Sequence, residues 1–124
     1  QIYGKVYGSV LSAGVVVEEG AVVKDSIIMK DTVIKKGAYI EKSIIAENCV
    51  IGENTKVGVG EEAESKLNPK VYSFGLATIG DGSVIPANVT IGKNTAIRGV
   101  TEPDDYPDGA LPSGGYLIKA GEQS

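Results

Sequence analysis

Any chemistry in this chain has to come from a short inventory of reactive groups. There is one thiol, Cys49, and there are three acidic doublets, Glu18-Glu19, Glu61-Glu62 and Asp104-Asp105. The cations that stand where the pattern of the chain breaks are Lys66, Lys70 and Arg98. There is no histidine. A hydroxyl or thiol nucleophile needs an adjacent base, so Ser/His and Cys/His pairs are excluded. A His-ligated zinc hydrate is excluded with them. No GxxxxGK[ST] loop is present. GVGEE (Gly58 to Glu62) alternates glycines as a phosphate cradle does, but the acidic pair that follows repels phosphate, and a solvated turn fits better. The acidic doublets suit a cation in principle; at solvent-facing turns they read as ordinary charged surface. Lys66, Lys70 and Arg98 are the candidate effector or anion-binding residues, against the alternative of solvated charges at loop ends. Arg98 is the best of them, because a planar guanidinium binds phosphate through two parallel hydrogen bonds. No catalytic residue and no metal-ligand set is expected in this chain.

The elements that would position these groups follow from a repeat. KDSIIMKD (Lys24 to Asp31) and EKSIIAEN (Glu41 to Asn48) start 17 residues apart. The aliphatic residues that precede turn formers fall at Val6, Leu11, Val17, Val23, Ile28, Ile34, Ile40, Ile45, Ile51 and Val57, with steps of six, six and five. Such self-similarity is the mark of a solenoid. Gly14, Gly20, Asp31, Gly37, Asn48 and Asn54 sit three residues after most of these anchors, and these types tolerate positive φ. Four residues after the anchors come the expected secondary inward positions: Val15, Ala21, Ile27, Thr32, Ala38, Ile44, Cys49 and Thr55. Cys49 is then a core thiol.

Charge tests the period independently. Residues n and n + 17 would stack about 4.8 Å apart. The stacked charged pairs between Val6 and Gly58 are Glu18/Lys35, Glu19/Lys36, Lys36/Glu53, Lys24/Glu41, Asp25/Lys42 and Lys30/Glu47, all of opposite sign. Each exposed pair contributes only about 0.2–1 kcal/mol, so their value is as register marks. Ser9, Ser26 and Ser43 stack in the same way.

The repeat stops after Val57 and resumes at Ile79, Ile85, Ile91 and Ile97. Regular coils are expected over about 6–58 and 79–97, with a loop excursion over 59–78 and an irregular C-terminal tail over 98–124, in one domain. Tyr72, Phe74 and Leu76 are expected to pin the far end of the excursion. Pro86, lacking an N–H, marks a turn or an edge. Tyr116-Leu117-Ile118 is expected to close the open end of the coil.

Bulk composition agrees with an all-β reading. A hydrophobic content of 42% with no Trp, one Phe and one Met leaves the core to small and β-branched residues. The 17 glycines and five prolines supply turns. A net charge of −4 argues against a nucleic-acid surface. No apolar run approaches the ~20 residues of a membrane span, and a lone cysteine suits a reducing cytoplasm. A start at Gln1 without an initiator Met points to a piece of a longer protein.

IGENTK (Ile51 to Lys56) and IGKNTA (Ile91 to Ala96) resemble the hexapeptide repeat of left-handed parallel β-helices. The left hand comes from that resemblance, since general parallel-sheet rules favour a right-handed crossover. Hexapeptide acyltransferases, which that repeat also brings to mind, use a His base that this chain lacks. The 17-residue rhythm, the polar excursion GEEAESKLNP and YSFGLATIGDGSVIPANVTIGKN (Tyr72 to Asn94) are similar to the C-terminal domain of the ADP-glucose pyrophosphorylase (glucose-1-phosphate adenylyltransferase) family, over about Val6 to Ile97.

That resemblance implies an oligomerisation and allosteric domain of a homo- or hetero-tetrameric cytoplasmic enzyme. Such an enzyme makes ADP-glucose and pyrophosphate from ATP and glucose 1-phosphate for glycogen synthesis. Its Mg²⁺ and both substrates would bind an N-terminal Rossmann-like domain lying outside this chain. Plant and cyanobacterial members carry activator-binding lysines around the segment matching Ser73 to Asp81, and neither Ser73 nor Asp81 is basic. The rival readings are the β-helix of another sugar-1-phosphate nucleotidyltransferase, such as a mannose-1-phosphate guanylyltransferase, a hexapeptide acyltransferase domain, and a bare trimerisation scaffold.

Overall fold

A computed structural model of the chain describes residues 1–60 and 75–119. The chain winds into a three-sided parallel β-helix whose strands repeat in threes. The first coil carries β1 (Lys5–Tyr7), β2 (Val10–Leu11) and β3 (Val16–Val17). The second carries β4 (Val22–Lys24), β5 (Ile27–Ile28) and β6 (Val33–Ile34), and the third β7 (Tyr39–Glu41), β8 (Ser43–Ile45) and β9 (Val50–Ile51). Coil four has β10 (Lys56–Val57), β11 (Ala77–Ile79) and β12 (Val84–Ile85). Coil five has β13 (Thr90–Ile91) and β14 (Thr95–Arg98), and coil six β15 (Ala110–Leu111) and β16 (Tyr116–Ile118).

Each face is one parallel sheet. The first runs β1-β4-β7-β10-β13-β15, the second β2-β5-β8-β11-β14-β16 and the third β3-β6-β9-β12. With its hexapeptide repeat this is a left-handed parallel β-helix.

The register confirms the expected coil period: Val6 pairs with Val23 and Val23 with Ile40, Leu11 with Ile28 and Ile28 with Ile45, Val17 with Ile34 and Ile34 with Ile51. Nine isoleucines, from Ile28 to Ile97, lie at 2% exposure or less in the resulting columns. Val6 and Leu11, on the end coil, are only half-buried. All six expected turn formers take positive φ, between 58° and 80°.

Between coils three and four the register jumps. Lys56 pairs with Tyr39, one period back, whereas Ala77 pairs with Ser43, two periods back. The excursion therefore inserts one full coil's worth of chain at a single corner and leaves the stack undisturbed. Tyr72 and Phe74 lie outside the described residues, and Leu76 is half-buried.

Two expectations need correction. Ile27 and Ile44 point outward, with Ile27 41% exposed; Ser26 and Ser43 take the inward positions instead. The inward residue lies two before each anchor, and counting four forward from Val23 or Ile40 crosses the corner that is one residue short. At that corner Asp25 and Lys42 adopt φ of 49° and 46°, which the short step requires and which a lysine does not announce by type. The buried serines are satisfied as a ladder. Ser9 Oγ accepts from Ser26 N at 3.0 Å, Ser26 Oγ accepts from Ser43 N at 3.1 Å, and Ser43 Oγ donates to Glu41 O at 2.8 Å.

The stacked charges hold the register but do not close into ion pairs: among the described residues the one salt bridge is Lys119–Asp105, at 2.7 Å. Glu18 Oε1 accepts instead from the backbone N of Lys36 and Glu41 Oε1 from Tyr39 Oη. Long, hydrated side chains gain little from pairing at exposed sites.

Pro86 follows β12, the last strand of the third sheet, so its missing N–H falls where the ladder ends. Beyond Arg98 the chain makes two 3-10 turns, Pro103–Asp105 and Pro107–Gly109, and then returns to the first and second faces as β15 and β16. Leu111 and Leu117 extend the inward columns of Ile91 and Ile97. Tyr106 is buried over this end of the core, 2.8 Å from Thr101 Oγ1, and Thr101 Oγ1 also lies 2.8 Å from Val84 O.

Burial pushes the Tyr106 phenol up to about 12. In the unfolded chain a tyrosine titrates near 10. Between pH ~10 and ~12 the unfolded chain has lost this proton and the folded chain has kept it, so stability falls across that window. Stability measured by urea at stepped alkaline pH should drop by roughly 1–3 kcal/mol more in the native chain than in Tyr106→Phe. Identical slopes for the two proteins would refute the buried phenol.

Candidate functional site

Arg98 ends β14, opposite Ile118. A Cβ built on Gly80 would stand 3.3 Å from Arg98 Cγ, so the aliphatic stem of the arginine crosses the second face above that glycine and its head is exposed. There it borders a depression of about 480 Å³ with Ile44, Ala46, Thr78, Asp81, Ala96 and Ile118. The depression exists because coils four and five turn small residues outward, while Ile44 and Ile118 stand up on either side. Asp81 Oδ1 accepts from Glu47 N at 3.2 Å, which fixes a carboxylate on the same rim as the guanidinium. Among the described residues the depression thus offers one guanidinium and one carboxylate on its border, which suits weak anion contact better than a phosphate clamp. Lys66 and Lys70 lie outside the described residues.

Cys49 and Asp105 are already engaged where they stand. Cys49 is 1% exposed, and desolvation pushes its thiol up, so it is held as a neutral core group. Its Sγ lies 3.1 Å from Gly80 O. Asp105 is engaged by Lys119 and by Glu102 N, both of which hold its carboxyl below its ordinary value. Glu61-Glu62 lies outside the described residues. Among the described residues no three His, Cys, Asp or Glu side chains converge as a metal cage. No helix of the described residues is long and apolar enough to cross a membrane. The described residues therefore offer no nucleophile–base constellation, and what the geometry presents is outward surface.

Comparison with known proteins places this geometry in a family. The model of the GlmU-like, C-terminal hexapeptide family matches residues 2–79. Glucose-1-phosphate adenylyltransferase of Lachnospira eligens is 70% identical over 122 residues, which cover 98% of this chain and 29% of that protein. The enzyme of the same name from Thermotoga maritima is 58% identical over 118 residues, 95% of this chain and 28% of that protein. The one from Acetivibrio thermocellus is 39% identical over 122 residues, 98% and 29%.

The chain spans less than a third of the length of these curated relatives and corresponds to their C-terminal part. A GDP-perosamine N-acetyl transferase structure from Caulobacter crescentus covers 92% of this chain and 50% of its own, at 22% identity and a TM-score of 0.43, too distant to carry a functional argument. With its hexads, its regular coil period and the interrupting excursion, the chain belongs to the GlmU-like, C-terminal hexapeptide family, in the form found at the C-terminal end of glucose-1-phosphate adenylyltransferases.

Proposed function

We propose that this chain is the assembly and effector-response domain of a glucose-1-phosphate adenylyltransferase working in the cytoplasm. The whole enzyme would join ATP and glucose 1-phosphate into ADP-glucose and pyrophosphate, with Mg²⁺ and both substrates held by the part of the protein outside this chain. The observation that carries the reading is 70% identity across nearly the entire chain to an enzyme of that name. The structure fits it chemically: a solenoid with a buried thiol, no histidine and long outward faces suits contact and transmission rather than catalysis.

Two further elements belong to the same proposal. The enzyme is a tetramer held in part by this domain. Arg98, and with it Lys66 and Lys70, contributes to the site of an anionic effector.

The test is made in the full-length enzyme. Deleting the segment from Val6 to Ile97 should abolish tetramer formation and effector response. A truncated enzyme that still forms regulated tetramers would overturn the assembly and effector roles. A full-length enzyme that makes no ADP-glucose from ATP and glucose 1-phosphate would overturn the assigned activity. Arg98→Ala should raise the effector concentration needed for half-response while leaving the basal rate alone; an unchanged response removes Arg98 from the site.

A further inference from the structure

The third face carries a column of valines on its outer side: Val16, Val33, Val50 and Val84 occupy successive coils in register, each half-buried. Charged residues flank this column by coil. Ala13, Lys30, Glu47 and Asp81 stack along one rim, and Glu19, Lys36, Glu53 and Ala87 along the other. Beside the valines the column Glu18, Lys35, Gly52 and Pro86 alternates long side chains in the lower coils with a glycine and a proline above. Coil two thus carries a lysine on each rim, with Asp31 beside Lys30, and coil three a glutamate on each. None of Lys30, Lys36, Glu47 and Glu53 closes an ion pair among the described residues, so these charged heads remain available.

We infer that this face pairs with the same face of a second copy of the chain, antiparallel, about a two-fold axis passing between coils two and three. That arrangement keeps each rim on its own side and reverses the order of the coils. Lys30 then meets the partner's Glu47 and Lys36 meets the partner's Glu53, each contact occurring twice. Val33 lies against the partner's Val50 and Val16 against the partner's Val84. Lys35 faces the gap left by the partner's Gly52. Glu18 and Glu19 face the partner's Pro86 and Ala87, and Asp81 faces the partner's Ala13, so no acid meets an acid. Side-by-side parallel pairing exchanges the rims instead. It sets Lys30 against the partner's Lys36 and Glu47 against the partner's Glu53; Asp31 meets the partner's Lys35, but the like-charge contacts outnumber that pair and disfavour the arrangement.

The pairing deepens the assembly role proposed above, but it rests on this face alone. Four coils at about 4.8 Å by some six residues of width give roughly 400 Å² per partner, about half of a standard interface. The association is accordingly weak, with Kd on the order of 0.1–1 mM at low salt, and it weakens further as salt screens the four charge contacts.

Sedimentation equilibrium of the 124-residue chain up to millimolar concentration at low salt tests this. The expected result is a concentration-dependent dimer. It should weaken at least tenfold in Lys30→Glu/Lys36→Glu and equally in Glu47→Lys/Glu53→Lys, and recover when the two variants are mixed in equal amounts. All four residues are exposed, so both variants should melt as the native chain does. Val33→Lys, which puts a cation into the valine column, should give the same loss by a different route. A chain monomeric at every concentration, a dimer indifferent to both charge reversals, or a mixture that fails to recover would overturn the surface. None of these outcomes touches the adenylyltransferase reading, which stands or falls on ADP-glucose formation by the full-length enzyme.

Discussion

Replacing Gly58 by alanine should destabilise the chain by at least about 3 kcal/mol, read as a drop in urea midpoint at constant slope. Two separate effects act at this position. Gly58 has φ of 84°, a region that a Cβ makes unfavourable by roughly 1–2 kcal/mol. A Cβ there would also fall well inside van der Waals contact with Glu41 O and 2.9 Å from Ser43 Oγ. Those atoms belong to coil three, so Gly58 would have to move away from it and into coil five, where its N already donates to Ile91 O at 2.8 Å. Gly82 provides the control. Its φ is 70°, but nothing lies within 4 Å of where its Cβ would be. Gly82→Ala should therefore show only the backbone effect, and Gly82→Asn less still, since Asn48 and Asp31 hold the same conformation in the coils below. Equal losses for Gly58→Ala and Gly82→Ala would show that contact between coils is irrelevant at this corner.

Ile51→Ala should be comparably severe, at about 2–5 kcal/mol. Ile51 is fully buried in the middle of the third face's column, between Ile34 below and Ile85 above. Its neighbours are held by sheet hydrogen bonds on two sides and cannot collapse into the space, so the transfer and cavity contributions both apply. Leu11→Ala removes a side chain of the same size from the half-buried end coil, and its cost should be well under half as large. Thermal melts of the two variants decide the matter. Similar losses would mean that the end coil is packed as tightly as the middle, contrary to its exposure.

The columns that make both predictions possible are legible in the sequence because aliphatic anchors and turn formers recur on a short, fixed step. What the sequence leaves out has definite physical causes. Ile27 and Ile44 read as inward because a corner one residue short shifts the inside–outside alternation, and nothing in SII distinguishes a buried serine from a buried isoleucine until the register is known. Lys42 does not advertise positive φ; the geometry of the step imposes it. Coil six is hidden because the steps from Thr90 to Ala110 and from Ala96 to Tyr116 are longer than the coil period and run through a segment crowded with Pro, Gly and Asp. The stacked charges report the period correctly, since opposite signs at one spacing mark proximity whether or not an ion pair closes. Of the candidate site, the stacking of Arg98 over Gly80 follows from the regular hexads between Ile79 and Ile97, whereas the depression that Arg98 borders with Asp81 depends on which neighbouring side chains stand outward and emerges only from the packed coils.

The jump in register at the excursion also bears on the order in which the chain folds. Within coils one to three every new strand closes a loop of a single period, and its anchors are rewarded at once by the column below. Joining coil four to coil three on the second and third faces requires closing a loop twice as long. Doubling a loop adds about 0.6 kcal/mol of entropic cost to that step. The solenoid thus has a seam, between β10 and β13 on the first face and between coils three and four on the other two, and zipping should proceed on each side of it before it crosses. Pulse-labelled amide exchange would then find the amides of Met29 and Lys35 protected before those of Ala46 and Gly52, whose acceptors, Ile79 and Ile85, lie across the seam.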